Sequence, residues 1–158
     1  MEIFFWLSSL LVIYIYIGYP VLLKFLPKIP KSAGNTDVYN ANVTVLIPAF
    51  NEEKHIESTI KNKLDSNYPQ DKLQIIVISD ESEDGTDELV KAYSAKDSRV
   101  TLIRQSPRQG KTAGLNLAMP HATGDIIVFS DANSHYHPDA IQHLVNTFQD
   151  SDIGYVTG

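Results

Sequence analysis

Acidic and amide side chains follow three of the short apolar runs in this chain. They are, in chain order, Asn51 and Glu52, Asp80 and Glu81, and Asp131 and Asn133. Asp and Asn favour turns and helix caps, which accounts for many such residues. A carboxylate directly at the end of a buried strand is different, because its desolvation is costly unless it has a partner. The sequence therefore predicts that Asp80 and Asp131 meet a metal ion or ribose hydroxyls.

A short basic loop supplies the opposite charge. Arg104, Arg108 and Lys111 surround Gly110, directly before a segment with helical spacing. Because backbone N–H groups and the helix dipole favour an anion at a helix amino terminus, this loop is a candidate phosphate site. A solvated surface loop is the alternative. The glycine motifs of P-loop nucleotide hydrolases and of dinucleotide-binding domains are absent from the sequence.

The elements that would position these groups alternate along the chain. Predicted strands cover 43–47, 73–79, 100–103 and 126–129, a fifth begins at 153–156, and predicted helices cover 52–65, 86–95, 111–119 and 138–148. Continuous apolar strands alternating with helices predict an α/β fold, an open and mostly parallel sheet with helices on both faces. Such sheets bind ligands beyond the carboxyl ends of their strands, where the strand order reverses. The polar groups above are expected to meet there.

The amino-terminal stretch 3–23 contains no charged residue and is long enough to span a bilayer as a helix. Lys24, Lys28 and Lys31 follow it, and no Lys or Arg precedes it, so the positive-inside bias places the next domain in the cytoplasm. A cleaved signal peptide is disfavoured, because Glu2 replaces the usual basic flank and the run is long. We predict a cell-membrane anchor at 1–26, a linker at 27–42 and one domain at 43–158.

The net charge and the cysteine count of the chain argue against other classes of protein. The chain has 158 residues and a net charge of −6. An acidic balance argues against nucleic acid as a partner, because such a partner requires a basic face. The absence of cysteine excludes disulfides and thiolate metal sites.

Four segments of the sequence resemble, in order, four blocks of the family 2 glycosyltransferases. They are 45–52, 80–86, 110–116 and 124–133. The resemblance implies a GT-A fold, whose nucleotide-binding half is Rossmann-like. It also implies an inverting transferase that uses a nucleoside-diphosphate sugar, with UDP as the expected nucleotide, and Mg²⁺ or Mn²⁺ as cofactor. The acceptor would be a glycan or a lipid.

The resemblance also implies roles for individual residues. The nucleoside pocket would be lined by Pro48, Ala49, Phe50, Asn51 and Glu52. Asp80, with Glu81 beside it, would face the base or ribose, and Gly110 and Lys111 would lie near the diphosphate. Asp131 and Asn133 occupy the D-x-D position that holds the metal. Since an amide oxygen is a weaker ligand than a carboxylate, Asn133 implies a lower metal affinity.

The family's catalytic base lies in a later block, so the resemblance places it beyond Gly158. The chain is therefore expected to bind donor weakly at best and not to transfer sugar. Two alternatives remain open. One is a membrane-tethered nucleotide-binding domain without catalysis. The other is a sugar nucleotidyltransferase, which the lack of glycine in 48–52 disfavours.

Overall fold

The computed structural model describes residues 2–25, 40–150 and 152–157. It divides into two compact units, Met1–Ala33 and Gly34–Gly158, which are described separately below. Most of the predicted linker, residues 27–39, lies outside the described residues.

The first unit contains one continuous helical segment. It consists of α1 (Glu2–Ile13), a π turn (Tyr14–Gly18) and α2 (Tyr19–Phe25). The π turn has a local cause, because Pro20 has no N–H and its ring crowds the carbonyl four residues earlier. In the π turn the N–H of Tyr19 donates to the carbonyl of Tyr14, five residues earlier, rather than to a carbonyl four residues earlier as in an α-helix. The helix continues through the π turn. With 24 residues, the helical segment is long and apolar enough to cross a membrane.

The second unit is built on a parallel sheet, as predicted. Its strands are β1 (Val43–Ala49), β2 (Leu73–Asp80), β3 (Val100–Gln105) and β4 (Ile126–Phe129). Their order is β3-β2-β1-β4, and every pairing is parallel. The central strands β1 and β2 are buried on both faces, which explains their nearly continuous apolar sequences.

Helices cover both faces of this sheet, which also confirms the prediction. They are α3 (Ile56–Leu64), α4 (Thr86–Ser94), α5 (Lys111–Ala118) and α6 (Ala140–Thr147), with short 3-10 turns at Gln70–Lys72 and Met119–His121. On one face, Ile60 of α3, Val90 of α4 and Ile141 of α6 share a core with alternate residues of β1 and β2. On the other face, Ala118 of α5 packs with Leu46 and with alternate residues of β2.

Several predicted boundaries differ from the structure, and β1 and β3 each end two residues later than predicted. Helix α3 begins at Ile56 rather than at residue 52, because the Glu52 carbonyl first accepts the His55 and Ile56 N–H groups in a turn. Helix α6 begins at Ala140 rather than 138. Residues 152–157 form no strand, so the predicted fifth strand is wrong. The Ile153 N–H donates to the Asp150 carbonyl in a turn.

The topology creates one switch point. Strands β1 and β4 are neighbours, yet the chain leaves β1 for α3 on one face and reaches β4 from α5 on the other. The connections therefore diverge beyond the carboxyl ends of β1 and β4. In open α/β sheets this crevice is where ligands bind.

Candidate functional site at the carboxyl edge of the sheet

The loops after β1 and β2 are interlocked by their polar side chains. The Asn51 N–H donates to Ser82 Oγ at 3.1 Å, and its Oδ1 accepts the Glu83 N–H at 2.9 Å. The Glu52 N–H donates to Thr86 Oγ1 at 2.9 Å. Asn51 and Glu81 have φ angles of 54° and 59°, in the left-handed region that non-glycine residues rarely occupy. Such positions often lie at ligand sites, where the surrounding structure maintains the strain.

Asp80 is buried, as predicted, and its partners are protein groups. One oxygen accepts from Gln105 Nε2 and from the Gln109 N–H at 3.0 Å, and the other accepts the Gly110 N–H at 2.9 Å. The Arg108 guanidinium lies 3.5 Å away. Burial alone would raise the pKa of Asp80, but these hydrogen bonds hold it below its ordinary value. Asp80 therefore remains ionised and fixes the loop between β3 and α5.

Glu81 contacts the same loop from the solvent side. Its carboxylate accepts the Arg108 N–H at 2.8 Å and the Ser106 hydroxyl at 2.8 Å. These two hydrogen bonds lower the pKa of Glu81. Gly110 ends the loop with a φ of 86°, a conformation that glycine adopts without strain, and is followed by the first turn of α5.

Phe50 and Arg108 form a stack above Asp80. The guanidinium carbon of Arg108 lies 3.5 Å from the centroid of the Phe50 ring. This is the geometry of a cation–π contact. Phe50 is half-buried at the end of β1, and Pro48 and Ala49 precede it as the last residues of that strand. The structure thus places a flat aromatic face, a carboxylate and a guanidinium within one corner of the edge.

Lys111 and Asp131 connect α5 to β4 across the edge. The Lys111 ammonium donates to Asp131 Oδ1 at 2.7 Å, and the two side chains are 58% and 64% exposed. The sequence predicted that Asp131 carries the desolvation penalty of a buried carboxylate, and this is wrong. β4 ends at Phe129, and Asp131 lies in the loop beyond it, open to solvent. Its carboxylate is paired with Lys111 and accessible to a ligand.

Not all of the basic loop faces this edge. Arg104, one of the three predicted phosphate cations, pairs with the buried Asp87 of α4 and donates to the Ser82 carbonyl at 3.2 Å. Lys111 is therefore the cation that the structure places beside Asp131. Arg108 lies at the Phe50 end.

The donor set fits a divalent cation only in part. Asp131 and Asn133 offer a carboxylate and an amide oxygen, both exposed and two residues apart. Among the residues that the structure describes, no group of three His, Cys, Asp or Glu side chains is placed to hold a metal. Mg²⁺ sites at nucleotides usually combine one or two carboxylates with substrate phosphates and water. The residues therefore suit a cation shared with a diphosphate rather than one held by protein alone.

Helix α3 contacts the loop after β4 through polar side chains. Thr59 Oγ1 donates to the Ala132 carbonyl at 2.7 Å. Asn62 exchanges two hydrogen bonds with the backbone of Tyr136, at 2.7 and 3.0 Å. The Lys63 ammonium donates to the Ser134 carbonyl at 2.6 Å. Sequence reasoning missed these residues, although Lys63 falls seven positions after buried Ile56, on the apolar side of the helix.

A groove at the opposite edge of the sheet contains none of the predicted site residues. Its volume is about 820 Å³, and Gln70, Arg99 and Thr123 are among its lining residues. Two of its cations have protein partners, since Arg99 pairs with Asp97 and the Lys72 ammonium donates to the Asn40 carbonyl. The carboxyl edge remains the candidate site.

The second unit is similar in sequence to known proteins. Residues 44–158 match the sequence model of Glycosyl transferase family 2. The chain belongs to this family.

Curated members of the family are similar over most of the chain. The probable glycosyltransferase YdaM of Bacillus subtilis is 34% identical over 89% of this chain and 34% of its own length. The poly-β-1,6-N-acetyl-D-glucosamine synthase of Staphylococcus aureus is 32% identical over 73% of this chain and 28% of its own. The β-monoglucosyldiacylglycerol synthase of a Nostoc species is 30% identical over 72% of this chain and 25% of its own. The chain thus spans about a third or less of these relatives.

Solved structures of similar proteins confirm the GT-A fold. A mannosyltransferase from Pyrobaculum calidifontis, solved with GDP-mannose and Mn²⁺, has a TM-score of 0.80 and 31% identity. The alignment covers 92% of this chain and 44% of that one. Staphylococcus aureus TarS, solved with UDP-GlcNAc, has a TM-score of 0.60 at 21% identity, over 65% of this chain and 29% of its own. The second likeness concerns the fold alone.

Proposed function

We propose that this family 2 chain is the donor-binding part of a metal-dependent glycosyltransferase. The enzyme would transfer a sugar, with inversion, from a nucleoside-diphosphate sugar to a glycan or lipid acceptor. One observation carries the proposal, the pairing of Lys111 with Asp131 at the switch point. It brings a cation, a helix amino terminus and oxygen donors together where α/β sheets bind ligands.

The nucleoside would occupy the corner formed by the loops after β1 and β2. The segment Pro48–Glu52 would line it, with the Phe50 ring as a stacking surface. Asp80 and Glu81 would hold the neighbouring loop in place and present their remaining acceptor capacity to the base or ribose. The support is the shared location of these groups, together with the strained backbone at Asn51 and Glu81.

The diphosphate would lie between Lys111 and Asp131. The N–H groups of the first turn of α5, which begins after Gly110, would add donors for an anion. Asp131 and Asn133 would hold Mg²⁺ or Mn²⁺ jointly with the phosphate oxygens. When bound, such a cation would stabilise the negative charge that develops on the departing diphosphate. The Lys111 ammonium, which donates to Asp131 Oδ1 at 2.7 Å, would also donate to a phosphate oxygen.

Two nucleotides are candidates for the donor. The chain's resemblance to the family suggests UDP. The mannosyltransferase similar to this chain at 31% identity was solved with GDP-mannose. UDP and GDP therefore have to be compared directly.

The proposed location of the protein, and with it the class of acceptor, is based on the apolar helix of the first unit. The helix Glu2–Phe25 would anchor the protein in the cell membrane, with the second unit in the cytoplasm, because Lys24 and the two lysines after it follow the apolar segment. An anchored transferase is suited to lipid acceptors or growing glycans, and relatives named for each kind of product are similar to this chain.

Calorimetric titration of UDP and GDP into the full chain in detergent tests the proposal. Each titration is run with Mn²⁺ and with EDTA, for wild type and for Asp131→Ala. Asp65→Ala is a matched control, since Asp65 is a 61% exposed aspartate paired with a lysine, away from the edge. We expect binding of at least one nucleotide that requires Mn²⁺, falls at least about tenfold in Asp131→Ala and is unchanged in Asp65→Ala.

Two results would contradict the proposal in different ways. Binding that is equal with EDTA and in Asp131→Ala would leave a nucleotide pocket without the metal role of Asp131. Absence of binding by either nucleotide would reject the donor site in this chain.

A further inference from the structure

Lys63 is a buried cation whose partners all lie in α3 itself and in the loop after β4. The residue is 0% exposed, and none of the ion pairs found in the described ranges includes it. Its ammonium donates to the Ser134 carbonyl at 2.6 Å and to Asn62 Oδ1 at 3.2 Å. It also lies 3.5 Å from the centroid of the Tyr136 ring. Burying a charge without a counter-ion is costly, so these contacts have to compensate for it.

Lys63 belongs to a group of three α3 residues, Thr59, Asn62 and Lys63, which we term the α3 clamp. The clamp side chains donate hydrogen bonds to the carbonyls of Ala132, Ser134 and Tyr136, which are alternate residues of one segment. With these alternate carbonyls directed to α3, the segment is fixed along its length. The side chains between and before them, Asn133 and Asp131, remain exposed at the carboxyl edge.

We infer that Lys63 and its clamp partners are positioning residues for the Asp131–Asn133 segment, and therefore for the cation and diphosphate bound there. This inference rests on the proposed function for its ligand, whereas the fixing of the segment stands on the contacts alone. Residues that hold a metal-binding segment in place set the geometry of its metal ligands without binding the metal themselves.

Hydrogen exchange and nucleotide binding in the full chain test the inference together. Lys63→Met removes the ammonium at similar side-chain length, and Thr59→Val removes one hydroxyl donor at the same shape. Lys61→Met is the matched control, since Lys61 lies on the same helix and pairs with Asp65 at the surface. The readouts are amide exchange in 131–137 and in β2, UDP or GDP affinity with Mn²⁺, and affinity for the free nucleoside.

We expect Lys63→Met and Thr59→Val to speed exchange in 131–137 about tenfold while exchange in β2 stays unchanged. Affinity for the nucleotide with Mn²⁺ should fall about tenfold, while nucleoside affinity stays within about twofold, because the hydrogen bonds of the clamp side chains in the described residues lead to the loop after β4 and not to residues 48–52. Lys61→Met should resemble wild type in every readout.

Unchanged exchange in 131–137, or an equal loss of nucleoside and nucleotide affinity, would overturn the inference. If Lys63→Met does not fold, Thr59→Val decides the question by the same measurements. Faster exchange in a chain whose wild type binds no nucleotide would support the fixing of the segment and reject the proposed function.

Discussion

The Asp80 carboxylate accepts hydrogen bonds from three donors and thereby fixes the loop between β3 and α5. Substitution by asparagine removes its charge and keeps its shape. Asp80→Asn keeps the size of the side chain but replaces one acceptor oxygen with a donor, which opposes either the Gln109 or the Gly110 N–H. Since buried hydrogen bonds to a charged group contribute about 1.5–3 kcal/mol each, we expect a loss of about 2 kcal/mol in the free energy of unfolding. Nucleotide affinity should fall as the loop loosens.

Chemical denaturation of Asp80→Asn at neutral and acidic pH checks this prediction. The folded pKa of Asp80 is below its ordinary value of 3.8, so its stabilising effect is present above that pH and is lost as the pH falls through the folded pKa. The difference between wild type and variant should therefore be full at pH 7 and shrink below pH 4. A constant difference across both conditions would contradict the prediction.

The sequence predicts where several site residues lie, but not how exposed each of them is. Asp80, Lys111 and Asp131 could be placed at one edge, because the carboxyl ends of parallel strands meet there. The exposure of Asp131 could not, because the sequence predicts the end of β4 at residue 129 but not how the loop beyond it packs. Lys63 was missed because a lysine between Asn62 and Leu64 is typical of a solvated helix face. Only the spacing from Ile56 indicates its burial.

Helix α5 packs against β2 at Gly114, where there is no room for a side chain. A Cβ at Gly114 would lie 2.9 Å from Ile78 Cγ2, a branched side chain in the core. Overpacking of this kind costs about 1–3 kcal/mol, against about 1 kcal/mol gained from the better helix propensity of alanine. We therefore expect Gly114→Ala to destabilise the chain by about 1 kcal/mol and to move Lys111 away from Asp131.

Thermal unfolding and Mn²⁺-dependent nucleotide binding measure the two effects of Gly114→Ala. Asn116→Ala is the control, since Asn116 lies on the same helix and is exposed. A variant as stable as wild type would mean that Ile78 moves aside at no cost.

Element boundaries were predicted well where burial decides them and less well where turns do. β1 begins at Val43, and β4 spans 126–129, both as predicted, because these runs are apolar and closely bounded by polar residues. The start of α3 was wrong by four residues, since the turn at Glu52 uses backbone groups that no side-chain pattern reveals. The strand expected at 153–156 has apolar residues but pairs with no neighbour among the described strands.

At the scale of the whole molecule, the buried Lys63 should affect the pH dependence of unfolding. Burial lowers the pKa of Lys63 from 10.5 to about 8. Between these values the folded chain has released a proton that the unfolded chain still binds, so stability rises with pH in this range. The gain is on the order of 2 kcal/mol. It should be present in wild type and absent from Lys63→Met.

Urea denaturation at pH 7.5, 9 and 10 would measure this trend. Comparing the slopes of wild type and Lys63→Met isolates the contribution of Lys63 from that of the other ionisable groups. Parallel profiles would contradict the prediction.

The strand order β3-β2-β1-β4 also has a consequence for how the molecule forms. β1 pairs with β2 at a separation of about 30 residues, as between Thr44 and Gln74. The other edge of β1 can pair only after β4 has been synthesised. Asn42 and Asp125, which are hydrogen-bonded at the start of the two strands, are 83 residues apart. Because closing a longer loop is entropically costlier and slower, the β1–β4 side should assemble last. During synthesis, the nucleoside corner would take shape before Asp131 leaves the ribosome.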